Sequence, residues 1–226
     1  MEWRRLDLGR IEEALRVLLR LPDMTERWQR LREEPLTDDA TRRLIEGYRY
    51  VDRLLAERID IFAYGQSGKI LELNHRVLCG VSPERRASFQ SHLAATERHF
   101  YDDPLGGISA LSERYSRWQR HAPETLAAEI YVQAVSAPQL FLEGNSRTAA
   151  LIASYCLARA GLPPLVVTVG RLDEYHGLAE RIAALSRDGI TGMLTFGICA
   201  RRMTQFIRES ADPAFLTPRP VSARVV

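Results

Sequence analysis

The sequence predicts an all-α protein, and two observations support this. Apolar residues recur every three to four positions through almost all of the 226-residue chain, which is the period of an amphipathic helix. Capping residues and prolines stand where these segments begin, and glycines or prolines stand where they end. Residues 165–169 form a brief β-branched run, which indicates either a short strand or an extended core segment.

The predicted helices of the first half begin at polar residues whose side chains can accept hydrogen bonds from the first free amides. These starts are Asp7, Thr25, Thr37, Ser67 and Ser82. Because the helix after Thr37 carries an apolar stripe from Leu44 to Phe62, we expect it to continue to Gly65. Ser82 precedes a proline, a strong start signal, and the helix that follows should run toward Phe100.

The second half predicts further helices, and the one over residues 148–160 is the most apolar and therefore central. Gly161-Leu162-Pro163-Pro164 should stop this helix. Other helices are expected over 108–118, 124–136, 173–187 and 191–208. Residues 102–107, Asp-Asp-Pro-Leu-Gly-Gly, must form a loop.

Composition excludes several classes of protein. The chain is 46% hydrophobic and 27% charged, which is too apolar for a disordered chain, and it lacks the long uncharged run of a membrane span. A net charge of +2 gives no case for binding nucleic acid or an anionic membrane. Cys79, Cys156 and Cys199 lie far apart, which favours buried free thiols. The charged N-terminal region does not resemble a signal peptide, so we expect a cytoplasmic protein, although an effector secreted by another route fits too.

One segment, residues 138–148, combines small, polar and charged residues directly before the apolar helix. The Gly144-Asn145-Ser146 turn can gather backbone N–H groups at the positive end of the helix dipole, which favours an anion. Arg147 could grip a phosphate with two parallel hydrogen bonds, and Glu143 could hold Mg²⁺. The alternative is an ordinary capped helix, with Asn145 or Ser146 as the N-cap and a solvated Arg147.

This segment resembles the signature of Fic proteins, in the Fic/Doc (Fido) superfamily. That signature reads His-Pro-Phe-x-[Asp/Glu]-Gly-Asn-Gly-Arg, followed by a helix that ends in Gly-x-Pro-Pro. The positions in register are Phe141, Glu143, Gly144, Asn145, Arg147 and the 161–164 terminator. Upstream, residues 70–78 resemble the helix before the family's active-site flap, and Ile45-Glu46-Gly47 resembles its inhibitory-helix motif.

The resemblance implies a Fic-like helical domain over 37–210, with at most a short β-hairpin flap. Residues 1–36 would form an N-terminal helical extension, and 211–226 an extended or disordered tail. Similar proteins transfer a nucleoside monophosphate, usually AMP, from a nucleotide to a target hydroxyl. By position, Glu143 would be the Mg²⁺ ligand, and Gly144, Asn145, Ser146 and Arg147 would cradle the phosphates.

The sequence departs from this pattern at four positions, which are Gln139 for the catalytic histidine, Leu140 for the proline, Ser146 for the second glycine and Ala150 for a second arginine. An amide has no usable pKa, so Gln139 cannot take the acceptor's proton, although it can still orient a substrate. The change at Ala150 argues against the usual triphosphate grip and against self-inhibition through Glu46, which we interpret as an ordinary helix residue.

The flap region also departs from the family, because residues 82–101 read as helical and only 102–107 offer a candidate flap. Among the five histidines, none has a partner at ligand spacing, and His99, just before that loop, is the first to test as a substitute base.

Three functional hypotheses follow from these residues. The first is a Fic-type transferase of a phosphate-containing group, AMPylation-like but without the usual base, in which Gln139, Glu143 and Arg147 carry the chemistry. The second is a pseudoenzyme that binds a nucleotide or a protein partner. The third is a helical interaction protein with a vestigial pocket. The partner would be a nucleotide or another diphosphate-containing molecule, with a protein as a candidate target.

Overall fold

The computed structural model describes residues 3–20 and 37–218, and within them the prediction of an all-α fold is confirmed. The α-helices there, numbered in chain order, are α1 (Leu8–Leu18), α2 (Asp38–Ala56), α3 (Ser67–Cys79), α4 (Pro83–Ser88), α5 (Gln90–Asp102), α6 (Ile108–Trp118), α7 (Pro123–Val135), α8 (Asn145–Arg159), α9 (Leu172–Ala183) and α10 (Gly189–Glu209). Short 3₁₀ helices cover Val169–Arg171 and Pro213–Phe215. This described part of the chain holds no β-strand, so no hairpin flap lies in it.

Three of the predicted capping residues are confirmed as N-caps. Asp7 accepts a hydrogen bond from the amide of Arg10 at 3.0 Å, and Thr37 accepts one from Ala40 at 3.1 Å. Ser82 caps α4, with Pro83 at its first position. The helix predicted after Thr25 lies outside the described residues.

Helix α8 forms the centre of the core, as its apolar sequence predicts. Every residue from Asn145 to Ala158 is buried, and α2, α3 and α7 all pack against this helix. Helix α2 approaches α8 closely at Gly47, where an added Cβ would lie 2.4 Å from a methyl carbon of Leu151. Since α8 is surrounded in this way, its N-terminus is held in a fixed position.

The prediction that α2 continues to Gly65 is wrong, because the helix ends at Ala56. Arg58 adopts a left-handed conformation with φ 53°, and its amide bonds to the carbonyl of Leu55 at 3.2 Å. The amide of Ile59 then reaches back to Leu54 at 3.0 Å, which completes a Schellman motif. Glycine usually occupies this left-handed position, so an arginine there conceals the stop.

Residues 82–102 are helical, as predicted, but the single helix expected there is two. The chain bends at Phe89, which separates α4 from α5 and whose amide is shared between the carbonyls of Arg85 and Arg86.

The β-branched segment is extended and forms no strand. The hydroxyl of Ser154 brackets Leu165, donating to its carbonyl and accepting from its amide, and Tyr48 donates to the same carbonyl at 2.6 Å. The described part of the C-terminal tail, 211–218, lies against the N-terminal segment, where the amide of Thr217 bonds to the carbonyl of Arg5 at 3.0 Å.

The three cysteines are free and buried, as predicted. None of the helices in ranges 3–20 and 37–218 is both long enough and apolar enough to span a membrane.

Candidate functional site

The candidate site begins where α7 ends, at a cis peptide bond between Ala137 and Pro138. The amide of Ala137 bonds to the carbonyl of Leu185 at 2.8 Å, and the carbonyl of Ala137 accepts from the amide of Arg187 at 3.0 Å. The segment between α9 and α10 therefore fixes the backbone just before the predicted motif.

The side chain of Asn145 clamps the loop that precedes α8. Its oxygen accepts from the amide of Phe141 at 2.8 Å, and its nitrogen donates to the carbonyl of Phe141 at 2.8 Å and to the side-chain oxygen of Gln139 at 3.2 Å. Asn145 is 4% exposed, so its side chain makes these bonds in place of hydrogen bonds to water. The clamp sets the shape of the turn.

Gln139 holds the position where a Fic motif has its histidine, and both ends of its side-chain amide are hydrogen bonded. Its nitrogen donates to the carbonyl of Val135 at 3.1 Å, and its oxygen accepts from Asn145. The arrangement ties the end of α7 to the start of α8.

Gly144 makes the turn into α8 in a left-handed conformation with φ 72°, which favours glycine. An added Cβ would also lie 3.3 Å from atoms of Asn74, Val77 and Leu78 on α3. Asn74 is fully buried and donates to the carbonyl of Glu143 at 2.9 Å and to the hydroxyl of Thr148 at 3.2 Å. Helix α3 thus supports the turn from behind.

Glu143 and Arg147 lie in different environments. The Glu143 side chain is 67% exposed, and its nearest ionisable neighbour is the ring of His92 at 4.0 Å. Ser146 and Arg147 are buried, at 4% and 5% exposure. The alternative of an ordinary capped helix is wrong in both particulars, since Gly144 occupies the N-cap position and Arg147 is not solvated.

Arg147 also lines a small cavity of about 30 Å³ with apolar side chains of α1 and α2, among them Leu18 and Leu44. A cavity of this size holds a water but no nucleotide, since one water needs roughly 10–15 Å³.

Phe141 anchors the loop, as expected, and is 1% exposed with its ring stacked on Phe100 at 5.4 Å. His99, the first candidate for a substitute base, lies beside the motif, and its Nε2 is 2.9 Å from the carbonyl of Gln139. Its Nδ1 is 3.7 Å from a carboxylate oxygen of Asp103. The carbonyl contact requires a proton on Nε2, so His99 supports the loop in this arrangement.

Glu46 pairs with arginines of α2 and α3. It forms ion pairs with Arg49 and, at 3.9 Å, with Arg76. These contacts agree with its interpretation as an ordinary helix residue.

Sequence reasoning missed two residues that shape the site. Asn74 was only part of a helix that resembles the family's, and Arg187 carried no motif at all. Among residues 3–20 and 37–218, no group of three histidine, cysteine or acidic residues could hold a metal by itself. Any ion at Glu143 would need further ligands from a bound molecule.

Comparison with curated proteins finds relatives that are named protein adenylyltransferase Fic. The proteins from Drosophila yakuba and Drosophila melanogaster are 28% identical to this chain over 133 residues, which covers 57% of this chain and 26% of each relative. The protein from Drosophila erecta is 26% identical over 133 residues. No family model matches the chain. The chain spans about a quarter of these relatives, and the similarity supports a relationship to Fic proteins.

Proposed function

We propose that this chain is a Fic-like protein whose turn 143–147 binds the phosphates of a nucleotide or another diphosphate-containing molecule. It would transfer a phosphate-containing group to an acceptor hydroxyl or other nucleophile. The observation that carries the proposal is the left-handed turn at Gly144, which leads from an exposed carboxylate directly into the buried first turn of α8. The similarity to Fic adenylyltransferases supports the same class of reaction.

The anion site would consist of the backbone at the start of α8. The first helical hydrogen bond there runs from the amide of Thr148 to the carbonyl of Gly144 at 3.0 Å. The N-terminal end of a helix carries partial positive charge from its first backbone amides and from the helix dipole, and this charge stabilises an anion. Asn145 and Asn74 fix the shape of the turn through hydrogen bonds within the protein.

Glu143 fits a Mg²⁺ ion that also binds the donor's phosphates. Mg²⁺ in such sites is held by one or two carboxylates plus substrate oxygens and water. The Glu143 side chain is exposed, and no arginine of residues 3–20 and 37–218 lies at ion-pair distance from it, so it is accessible to an ion. The metal would neutralise charge on the phosphates.

The usual proton transfer is absent from this site. Gln139 has no proton-accepting group near neutral pH, and general-base catalysis is worth roughly 10²–10⁴-fold. The acceptor would therefore arrive deprotonated or carry its own base. Gln139 would then act through its backbone and its bond to Asn145, as a residue that shapes the loop.

A catalytically silent binding protein is the second candidate, and one observation favours it. Both ends of the Gln139 amide are satisfied within the protein, so the residue at the catalytic position is built into the structure. A pseudoenzyme of this kind would keep the anion site and use it to sense a nucleotide or hold a protein.

The first experiment measures binding of ATP, ADP, CDP-choline and a UDP-sugar by calorimetry, with and without Mg²⁺. We expect one of them to bind and Glu143→Gln to remove the Mg²⁺ dependence. The exposed carboxylate of Glu97, on α5, provides the matched control Glu97→Gln, which should bind like the wild type. If none of the four ligands binds, the transferase and the nucleotide-sensing form of the second candidate both fail.

The second experiment separates the two candidates. The protein is incubated with labelled donor and cell lysate, beside Glu143→Gln and Gln139→His. Label transfer that Glu143→Gln abolishes supports the transferase, and binding without transfer supports the pseudoenzyme. New transfer by Gln139→His shows that only the base is missing.

A further inference from the structure

A polar cavity of about 200 Å³ lies beside the backbone that leads into the motif, between α6, α7 and the start of α10. Its charged and amide lining consists of Glu113, Arg114, Arg117, Gln133 and Arg187. The volume is more than ten times the roughly 10–15 Å³ that one water needs, so a small ion and several waters fit together.

Arg187 is a cation without a carboxylate partner at ion-pair distance among the described residues. Its guanidinium donates to the carbonyls of Gln133 at 2.6 Å, Ser136 at 2.9 Å and Leu105 at 2.8 Å, and also to the carbonyl of Pro138. Burial, together with the positive charge of Arg114, lowers the pKa of Arg187 to about 10. An anion in the cavity would relieve this unfavourable charge environment.

Arg114 forms the second wall of the cavity. It pairs with the buried carboxylate of Glu129 at 3.2 Å, and its guanidinium lies 4.2 Å from the ring centre of Phe196. Burial lowers the pKa of Arg114 even though Glu129 lies beside it. Glu113 also acts on Arg114, and Asp103 and Asp188 act on Arg187, yet burial outweighs these carboxylates and lowers the pKa of both arginines.

The side-chain amide of Gln133 adds a polar group to the cavity wall. Gln133 is 4% exposed, and no hydrogen bond joins its side-chain amide to another of the described residues. The amide atoms are not among the fully enclosed polar atoms without a partner, so water or a ligand in the cavity can reach them. A donor and an acceptor are therefore available on the cavity wall.

Arg117 is the most exposed of the three arginines that line the cavity. Its side chain is 61% exposed and bonds at 2.7 Å to Glu113, whose side chain is 73% exposed. A surface pair of this kind is worth only roughly 0–1 kcal/mol, so Arg117 can leave it for a stronger anion.

We propose that this cavity binds a phosphate group, either free phosphate or a phosphate monoester, through Arg114, Arg117, Arg187 and the amide of Gln133. Guanidinium groups match phosphate oxygens in pairs, and Arg114 and Arg117 line the cavity with such groups. The terminal nitrogens of Arg187 already donate to protein oxygens, so Arg187 would contribute its positive charge. The site is separate from the turn at Gly144, and it does not depend on the proposed transferase activity. Arg187 links the two, because it also binds the carbonyl of Pro138 beside Gln139.

The test follows side-chain amide signals by NMR while inorganic phosphate replaces chloride at constant ionic strength. The Gln133 signal, identified by its loss in Gln133→Leu, reports this cavity, and the Asn145 signal reports the motif turn. We expect the Gln133 signal to shift saturably. Arg117→Gln should raise the midpoint about ten-fold or more, because a hydrogen bond to a charged group is lost. Arg120→Gln removes an exposed arginine at the end of the same helical region and should leave the midpoint unchanged.

The outcomes are distinct. A Gln133 signal that phosphate does not move, or equal midpoints in Arg117→Gln and Arg120→Gln, overturns the proposal. Acetate binding as tightly as phosphate also overturns it, because a planar carboxylate would then suffice. Phosphoserine binding comparably to phosphate indicates a phosphorylated partner, and binding of phosphate alone indicates a free ion; both support the site. A shift of the Asn145 signal alone concerns only the proposed function.

Discussion

Replacing Asn145 with alanine tests the clamp that shapes the candidate site. The change removes all three hydrogen bonds that the side chain makes, two to Phe141 and one to Gln139. The amide and carbonyl of Phe141 then stay buried without partners, since Phe141 is 1% exposed. We expect both a loss of stability and a loss of ligand binding at the turn.

The magnitude follows from the groups left unpaired. Each buried polar group without a partner costs about 1–3 kcal/mol, and two such groups remain. The oxygen of Gln139 is only partly buried and can bond to water, so it adds little. We therefore expect a fall of about 2–6 kcal/mol in the free energy of unfolding, or roughly 4–24 °C in Tm for a chain of this size.

The measurement is urea unfolding at equilibrium with an unchanged slope, compared with Gln205→Ala as a control. Gln205 also makes a side-chain hydrogen bond, but on the exposed surface of α10. The control should lose less than about 0.5 kcal/mol. Equal losses in the two variants would contradict the role assigned to Asn145.

Three further substitutions, with Gly177→Ala as the control for the first, test the packing and charge around the site. Gly47→Ala should destabilise by about 0–2 kcal/mol, because overpacking against Leu151 outweighs the gain in helix propensity, whereas Gly177→Ala, with open space around it, should stabilise by about 0.5–1 kcal/mol. Gly144→Ala should cost about 1–2 kcal/mol because φ is 72°, and should weaken donor binding in the same calorimetry. Burial alone would raise the pKa of Glu72, but hydrogen bonds and charge from arginines on α3 and α4 lower it overall. Glu72→Gln should therefore cost about 1–2 kcal/mol near neutral pH and progressively less in acid.

Each of these has a clear opposing result. Equal stability of Gly47→Ala and Gly177→Ala would mean that the close approach of α2 to α8 is relieved without cost. Unchanged binding in Gly144→Ala would separate the turn from ligand recognition. Because the pKa of Glu72 is lowered in the folded protein, its contribution must fade as the pH drops through that pKa. A difference between wild type and Glu72→Gln that does not shrink as the pH falls from neutral to well below the ordinary carboxyl pKa of roughly 4.3 contradicts the reasoning.

The helical fold could be predicted because its signals are local. The caps at Asp7, Thr37 and Ser82 and the terminator after α8 each depend on a few adjacent residues. Gly161 ends α8 with φ 86°, a conformation that its sequence position suggests. Arg58 does the same for α2 with a residue that gives no such signal, and the stripe continuing to Phe62 concealed the end.

The candidate site, too, has features that the local sequence predicted and features that it did not. Its residue types and spacing were legible, and Phe141 anchors the loop as expected. The burial of Arg147, the support from Asn74 and the bonded state of Gln139 were not, because each depends on helices distant in sequence. The roles of Glu143, Gly144, Ser146 and Arg147 toward a ligand stay predictions.

Periodicity, caps and motif spacing act over a few residues, so they predicted that this protein is helical, where most helices begin, and which turn resembles a phosphate site. What surrounds that turn depends on how the helices pack. Asn74 comes from α3 and Arg187 from the segment before α10, and both act through hydrogen bonds to backbone far along the chain. Such contacts arise when helices pack, and no local pattern specifies which carbonyl a buried side chain will meet.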